Sequence, residues 1–178
     1  NTSGSYNTAV GRNSISSGIT TSGNTAVGYN TLVSSTGGSN VAMGQDCMYG
    51  NGSGTYNVAL GRDALFANGS GGYNVAIGGN ALDASTASNN VGIGYDSLGL
   101  NTSGSSNVAI GRSAGNILTT GGENTILGYN TDAYDSASTN QIVIGNNLSA
   151  TDVDNSVFIG NNTNHIQNDF NADALWSY

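Results

Sequence analysis

Three arginines carry all the fixed positive charge of this 178-residue chain: Arg12, Arg62 and Arg112. They recur every 50 residues, and each follows a glycine that closes a short apolar run, as in NTAVGR, NVALGR and NVAIGR. In other copies of the run the same column holds Tyr29, Tyr95 and Tyr129. A guanidinium forks onto carboxylates, and an aromatic ring stacks on a sugar face while its hydroxyl hydrogen-bonds. These six residues are the candidate ligand contacts. Two structural accounts stand beside that one. Duplication of a longer unit explains the arginine spacing as well as a basic stripe for anionic sugars does, and the tyrosines could pack between rungs or chains. Tyr6, Tyr56 and Tyr73 form a second aromatic set, each preceding the asparagine that opens its run.

Little else in the chain could do chemistry. There is one histidine, His165, one glutamate, Glu123, and one cysteine, Cys47. No nucleophile–base motif such as G-x-S-x-G or H-E-x-x-H occurs, and an enzyme is not expected. Cys47 shares a small-residue column with Ser14, Thr31, Ala64, Ala81, Ser97 and Ala114, which makes it a packed core thiol. His165 reads as a capping or interchain contact, since one histidine is thin support for a metal site. Glycoside hydrolysis usually needs two carboxylates flanking the bond. Asp46, Asp63 and Asp96 fall in a turn column, and Asp132, Asp135, Asp152 and Asp154 fall in loops with nothing nearby to raise a pKa. No cofactor is expected. Calcium at the loop aspartates is a further metal reading, beside a His165 trio about a threefold axis, and the nonapeptide calcium-roll pattern is absent.

Composition excludes further classes. The formal charge of −8 offers no basic stripe to neutralise phosphates, so neither nucleic acid nor an anionic membrane surface is an expected partner. No apolar stretch approaches the roughly 20 residues that span a bilayer, so membrane insertion is not expected. Gly is 28 of 178 and Pro is absent. Such a chain could be a disordered linker, but its aliphatic residues are periodic.

That periodicity must position everything else. The runs NTAVG, NTAVG, NVAMG, NVALG, NVAIG, NVGIG, NVAIG and NTILG are followed by NQIVIG and NSVFIG. Their final glycines are Gly11, Gly28, Gly44, Gly61, Gly78, Gly94, Gly111, Gly128, Gly145 and Gly160, at steps of 15 to 17 residues. One step is too short for a helical crossover, so each is one coil of a parallel β-solenoid, a β-roll or β-helix of about ten 16–17-residue rungs. The glycines read as corners that need positive φ or leave no room for a β-carbon.

Before each glycine stands a large aliphatic residue: Val10, Val27, Met43, Leu60, Ile77, Ile93, Ile110, Leu127, Ile144 and Ile159. Two positions earlier lies a β-branched residue such as Thr8, Val41 or Val91. Alternate strand residues share a face, and these two columns are expected to stack inward as the core ladder. The intervening small column, Ala9 to Ala109, is then expected to face a second layer or a neighbouring chain. It enlarges to Ile126, Val143 and Phe158 in the last rungs, where we expect the opposing surface to open. Beyond the corner, an Asn/Asp/Ser column reads as turn formers that can bond in ladders. Two residues further, Ile15, Leu32, Met48, Leu65, Leu82 and Leu98 read as a second inward-facing strand. An ice-binding array would need a flat row of threonines, but Thr8, Thr25 and Thr125 share a column that is otherwise mostly valine and read as inward.

The blocks NTAVGYNTL, NVALGRDAL and NVAIGRSAG resemble the repeats of bacteriophage tail fibres and related trimeric surface fibres. Their N-x-V-A-I-G core is also similar to the head repeats of trimeric autotransporter adhesins. The resemblance covers residues 4–163, taken as the solenoid domain (1–163), with 164–178 as a C-terminal cap or trimer-contact segment. NQIVIGNN, NSVFIGNNTNHIQ and DALWSY resemble the junction to a self-cleaving intramolecular chaperone of the endosialidase type. The resemblance implies Tyr178 as the C-terminus that such cleavage leaves, with plain truncation as the alternative. It also implies a homotrimer of intertwined or side-by-side rolls in a virion tail fibre. Such a fibre joins other tail proteins and touches a host-surface glycan or protein. A bacterial extracellular adhesin and a passive surface filament are the alternatives.

Overall fold

The computed structural model describes residues 3–16, 20–151 and 154–169. The chain is all-β, a parallel β-solenoid. Its strands are β1 (Thr8–Val10), β2 (Thr25–Val27), β3 (Val41–Met43), β4 (Val58–Leu60), β5 (Val75–Ile77), β6 (Val91–Ile93), β7 (Val108–Ile110), β8 (Thr125–Leu127), β9 (Ile142–Gly145), β10 (Ser156–Gly160) and β11 (His165–Asp169). They form one 11-stranded sheet in sequence order. The first ten pair in parallel and in register, so that Ala59 stacks on Ala76 and Leu60 on Ile77. Nine steps of about 4.8 Å make a rod about 43 Å long. β11 turns back antiparallel on β10, with Gly160 opposite His165, and continues the same sheet. Trp176, Tyr178 and Asp152 lie outside the described residues.

The corner glycines behave as expected. At Gly61 and Gly78, φ is +144° and +128°, and a β-carbon on either would collide with the carbonyl oxygen of the next rung's corner glycine. Carbonyls of one rung and backbone of the next come too close there for any side chain.

The orientation of the strand is opposite to the expectation. Ala26, Ala42, Ala59, Ala76 and Ala109 are all 0% exposed and line the inside of the coil. The columns on either side of them point outward. Of the expected core ladder, Val10, Met43, Ile110 and Ile159 are 56%, 45%, 41% and 39% exposed, and Val27, Leu60, Ile77, Ile93, Leu127 and Ile144 are half-exposed. The reason is room. The interior is already filled by the residues beyond the corner, with Leu32, Met48, Leu65, Leu82 and Leu98 fully buried. Only a methyl group fits between that leucine column and the strand. The threonine column of Thr8, Thr25 and Thr125 faces outward for the same reason, and valine interrupts it at Val41 to Val108.

The second inward stretch is buried as expected but is not a strand. The leucines sit in the left-handed region, with φ from 49° to 53° from Ile15 to Leu98. That conformation is unfavourable for an aliphatic residue, and here it turns each side chain into the coil within a continuous run of turns. The asparagine-type column before it is also left-handed, as at Asn30, Asp46 and Asp63, where short polar side chains are at home. The Nδ2 of Asn13 donates to Asn30 Oδ1 at 3.0 Å and that of Asn30 to Asp46 Oδ1 at 2.9 Å, forming part of the expected ladder.

A buried amide ladder holds the rungs together. The backbone N–H of Asn90 donates to Oδ1 of Asn74 at 2.9 Å, and Nδ2 of Asn74 donates to the carbonyl of Ala87 at 2.8 Å. The same pair of bonds recurs at Asn40, Asn57, Asn90 and Asn107. Each side chain thus satisfies a strand entry and a loop carbonyl that water cannot reach.

Candidate functional site

The residue after the corner glycine lies in the turn just beyond the strand, and it projects from the edge of the coil. Its carbonyl accepts the next rung's second post-corner N–H, for example Asn130 N to Arg112 O at 2.9 Å and Ser113 N to Tyr95 O at 2.9 Å. This stacks the column into an exposed rib reading Arg12, Tyr29, Gln45, Arg62, Gly79, Tyr95, Arg112, Tyr129.

The rib brings together five of the six sequence-predicted contacts. The guanidinium carbon of Arg12 lies 5.8 Å from the centre of the Tyr29 ring. That of Arg112 lies 5.9 Å from Tyr95 and 5.8 Å from Tyr129, so it is flanked by a ring on each side. These are cation–π separations. Arg62 differs. Its rib neighbours are Gln45 and Gly79, and its Nε lies 3.3 Å from Asp63 Oδ2. Arg62–Asp63 is the one ion pair among the described residues. The three arginines are equivalent in the repeat but not in surroundings.

Two further aromatic pairs stand on other edges. Tyr56 and Tyr73 stack at 5.1 Å, whereas Tyr6 has Gly23 and Ser39 in the following rungs of its column. Tyr49 and Phe66 stack at 5.4 Å. The sequence reading missed this second pair, although both residues lie five positions after a corner glycine, a signal that was there to find.

Cys47 is buried in its small-residue column, and its Sγ donates to the carbonyl of Ala59 at 3.2 Å. Ser14 and Ser97 make the same bond to Ala26 and Ala109. Burial pushes the Cys47 thiol up to about 12, far from a reactive thiolate. His165 is exposed in the terminal hairpin, with its ring 6.1 Å from that of Phe158. Asp132 departs from expectation, because burial raises its pKa while it accepts a bond from Ile117 N. Burial also raises the pKa of Asp83, helped by the charges of Asp96 and Asp63. Among the described residues no group of three or more His, Cys, Asp or Glu could hold a metal ion, and no helix is long and apolar enough to cross a membrane.

The outer sheet face carries two aliphatic or threonine columns and no charge from Thr8 to Ile159, with Val157 of the last rung buried. No protein-family model, curated protein or solved structure matches the chain.

Proposed function

We propose that this chain is a shaft segment of a homotrimeric viral tail fibre that holds a particle to its host's surface. One observation carries the proposal: the unbroken aliphatic ladder from Val10 to Ile159 points away from the coil's own core. Parallel sheets are found with both faces covered, and an apolar strip about 43 Å long is more than a lone soluble rod ordinarily shows to water. Two further copies of the same face, arranged about an axis along the rod, cover it with matched 4.8 Å rung spacing. The repeat's resemblance to trimeric fibre shafts supports the same arrangement. The ribs of arginine and tyrosine then lie beside the covered face, available to a host glycan.

Sedimentation tests the assembly. The wild-type chain is expected at three times its 17.8 kDa mass. The double variant Val75→Glu, Ile77→Glu is expected at the single-chain mass with its β circular dichroism retained, because neither side chain enters the coil. A wild-type chain sedimenting at the single-chain mass removes the proposal's support. A glycan array and adsorption to intact bacterial cells test attachment; silence in both would leave a passive filament.

A further inference from the structure

The three arginines of the rib are equivalent by repeat position, and only their surroundings separate them. Arg62 has a carboxylate at 3.3 Å and no aromatic neighbour on the rib. Arg112 stands between Tyr95 and Tyr129, and the residues beside it in the adjoining turn column of its own and the following rung are the uncharged Ser113 and Asn130. The nearest acid in that column, Asp96, accepts a hydrogen bond from Asn116 Nδ2 at 3.0 Å. Arg112 is therefore an exposed cation without an ion-pair partner among the described residues, on a chain whose net charge is −8.

We propose that Arg112, Tyr95 and Tyr129 form a binding site for a carboxylate-bearing sugar. The guanidinium edge that points away from the rib takes the carboxylate through two parallel N–H donors. The two tyrosines, separated by two rungs or about 10 Å, flank that point. Each offers a ring surface for pyranose C–H groups and a phenol for sugar hydroxyls. The rings also hold the guanidinium in place, which lowers the ordering cost of binding. Arg12 with Tyr29 makes a half-site with one ring, and Arg62 makes none. The inference rests on the reading of this rib as a host-contacting surface, and it names the class of host molecule.

The test titrates the full chain with a short oligogalacturonate. The controls are the same oligosaccharide with its carboxyls reduced to alcohols, and an oligoglutamate of equal charge. Saturable binding of the acidic sugar is expected, falling at least tenfold in Arg112→Gln and Tyr129→Ala and less than twofold in Arg62→Gln, with circular dichroism unchanged in all three. Binding of the reduced sugar or of oligoglutamate at equal affinity overturns the assignment. So does affinity undiminished in Arg112→Gln, or no saturable binding of the acidic sugar. The outcome is independent of the mass measurement. A single chain that binds refutes the trimer and keeps the site, and an assembled particle that does not bind refutes the site alone.

Discussion

A β-carbon placed on Gly115 would stand 3.2 Å from Cδ1 of Ile126, because the isoleucine occupies the interior space that a leucine takes in earlier rungs. Gly115 follows Leu82 and Leu98 in the inward column and keeps their left-handed conformation, with φ of 63°. Ile126 follows Ala76, Gly92 and Ala109 in the facing column. Between these two rungs the bulk passes from the turn to the strand.

The exchange makes the two positions energetically dependent. Ile126→Ala should cost about 2–5 kcal/mol through the cavity it leaves. Gly115→Leu should also destabilise, by overpacking. The double variant restores the arrangement of the earlier rungs and should recover at least about 1 kcal/mol relative to the sum of the single changes. Urea denaturation of the four proteins measures this directly. Additive losses would mean that the two side chains do not share one space.

Removing a rung of the buried amide ladder should be severe. Asn74→Ala strips the Asn90 N–H and the Ala87 carbonyl of their partners, at roughly 1–3 kcal/mol for each buried group. Thr102→Val removes an exposed bond of similar length to the carbonyl of Thr119, and should stay within about 0.5 kcal/mol. Thermal unfolding of the two variants separates a buried ladder from a solvated one.

Asp83 sets a pH dependence. Its pKa is raised in the folded chain, first by burial and then by the Asp96 and Asp63 charges. A raised folded-state value means that ionisation opposes folding. The chain should gain stability from this group as pH falls from neutral through the raised value. Asp83→Asn should therefore be more stable than wild type at pH 7, with the difference shrinking to nothing once the unfolded carboxylate is also protonated, below about pH 4. Parallel melts from pH 7 to pH 3 read the convergence.

Cys47 should be silent toward a disulfide reagent at pH 8 in the folded chain and react fully on denaturation. Its thiol titrates near 12 when folded, against 9.0 when free. The stability it confers is complete below about 9 and is lost as pH rises toward 12. Cys47→Ser should cost about 1 kcal/mol or less, because Ser14 and Ser97 already occupy this column with the same backbone bond.

The rungs, their lengths and their glycine corners were legible in the sequence because each position recurs ten times against one backbone geometry. The inward leucines from Ile15 to Leu98 were legible too. The facing of Val10 to Ile159 was not. Alternation tells which residues share a face, but when Ala lies on one face and Val or Ile on the other, both are apolar and the pattern has no polar side to break the tie. What decided it was volume: a coil of this length already holding a leucine has space for a methyl and no more. The amide ladder was visible only as an asparagine opening most rungs, since nothing in residue type distinguishes a buried asparagine from a turn former. The Arg/Tyr rib was legible as a column, whereas the isolation of Arg112 and the pairing of Arg62 with Asp63 depend on side-chain placement.

The central claim is that the aliphatic ladder leaves the coil and is covered by other copies of the chain. Thiol labelling of Ile77→Cys in a Cys47→Ser background tests it most directly, run on the native particle and on chains separated by Val41→Glu and Val108→Glu. The account predicts slow labelling in the particle and fast labelling in the separated chains. Slow labelling in the separated chains would place the side chain inside the coil, and fast labelling in the particle would leave the face bare; either result contradicts the account.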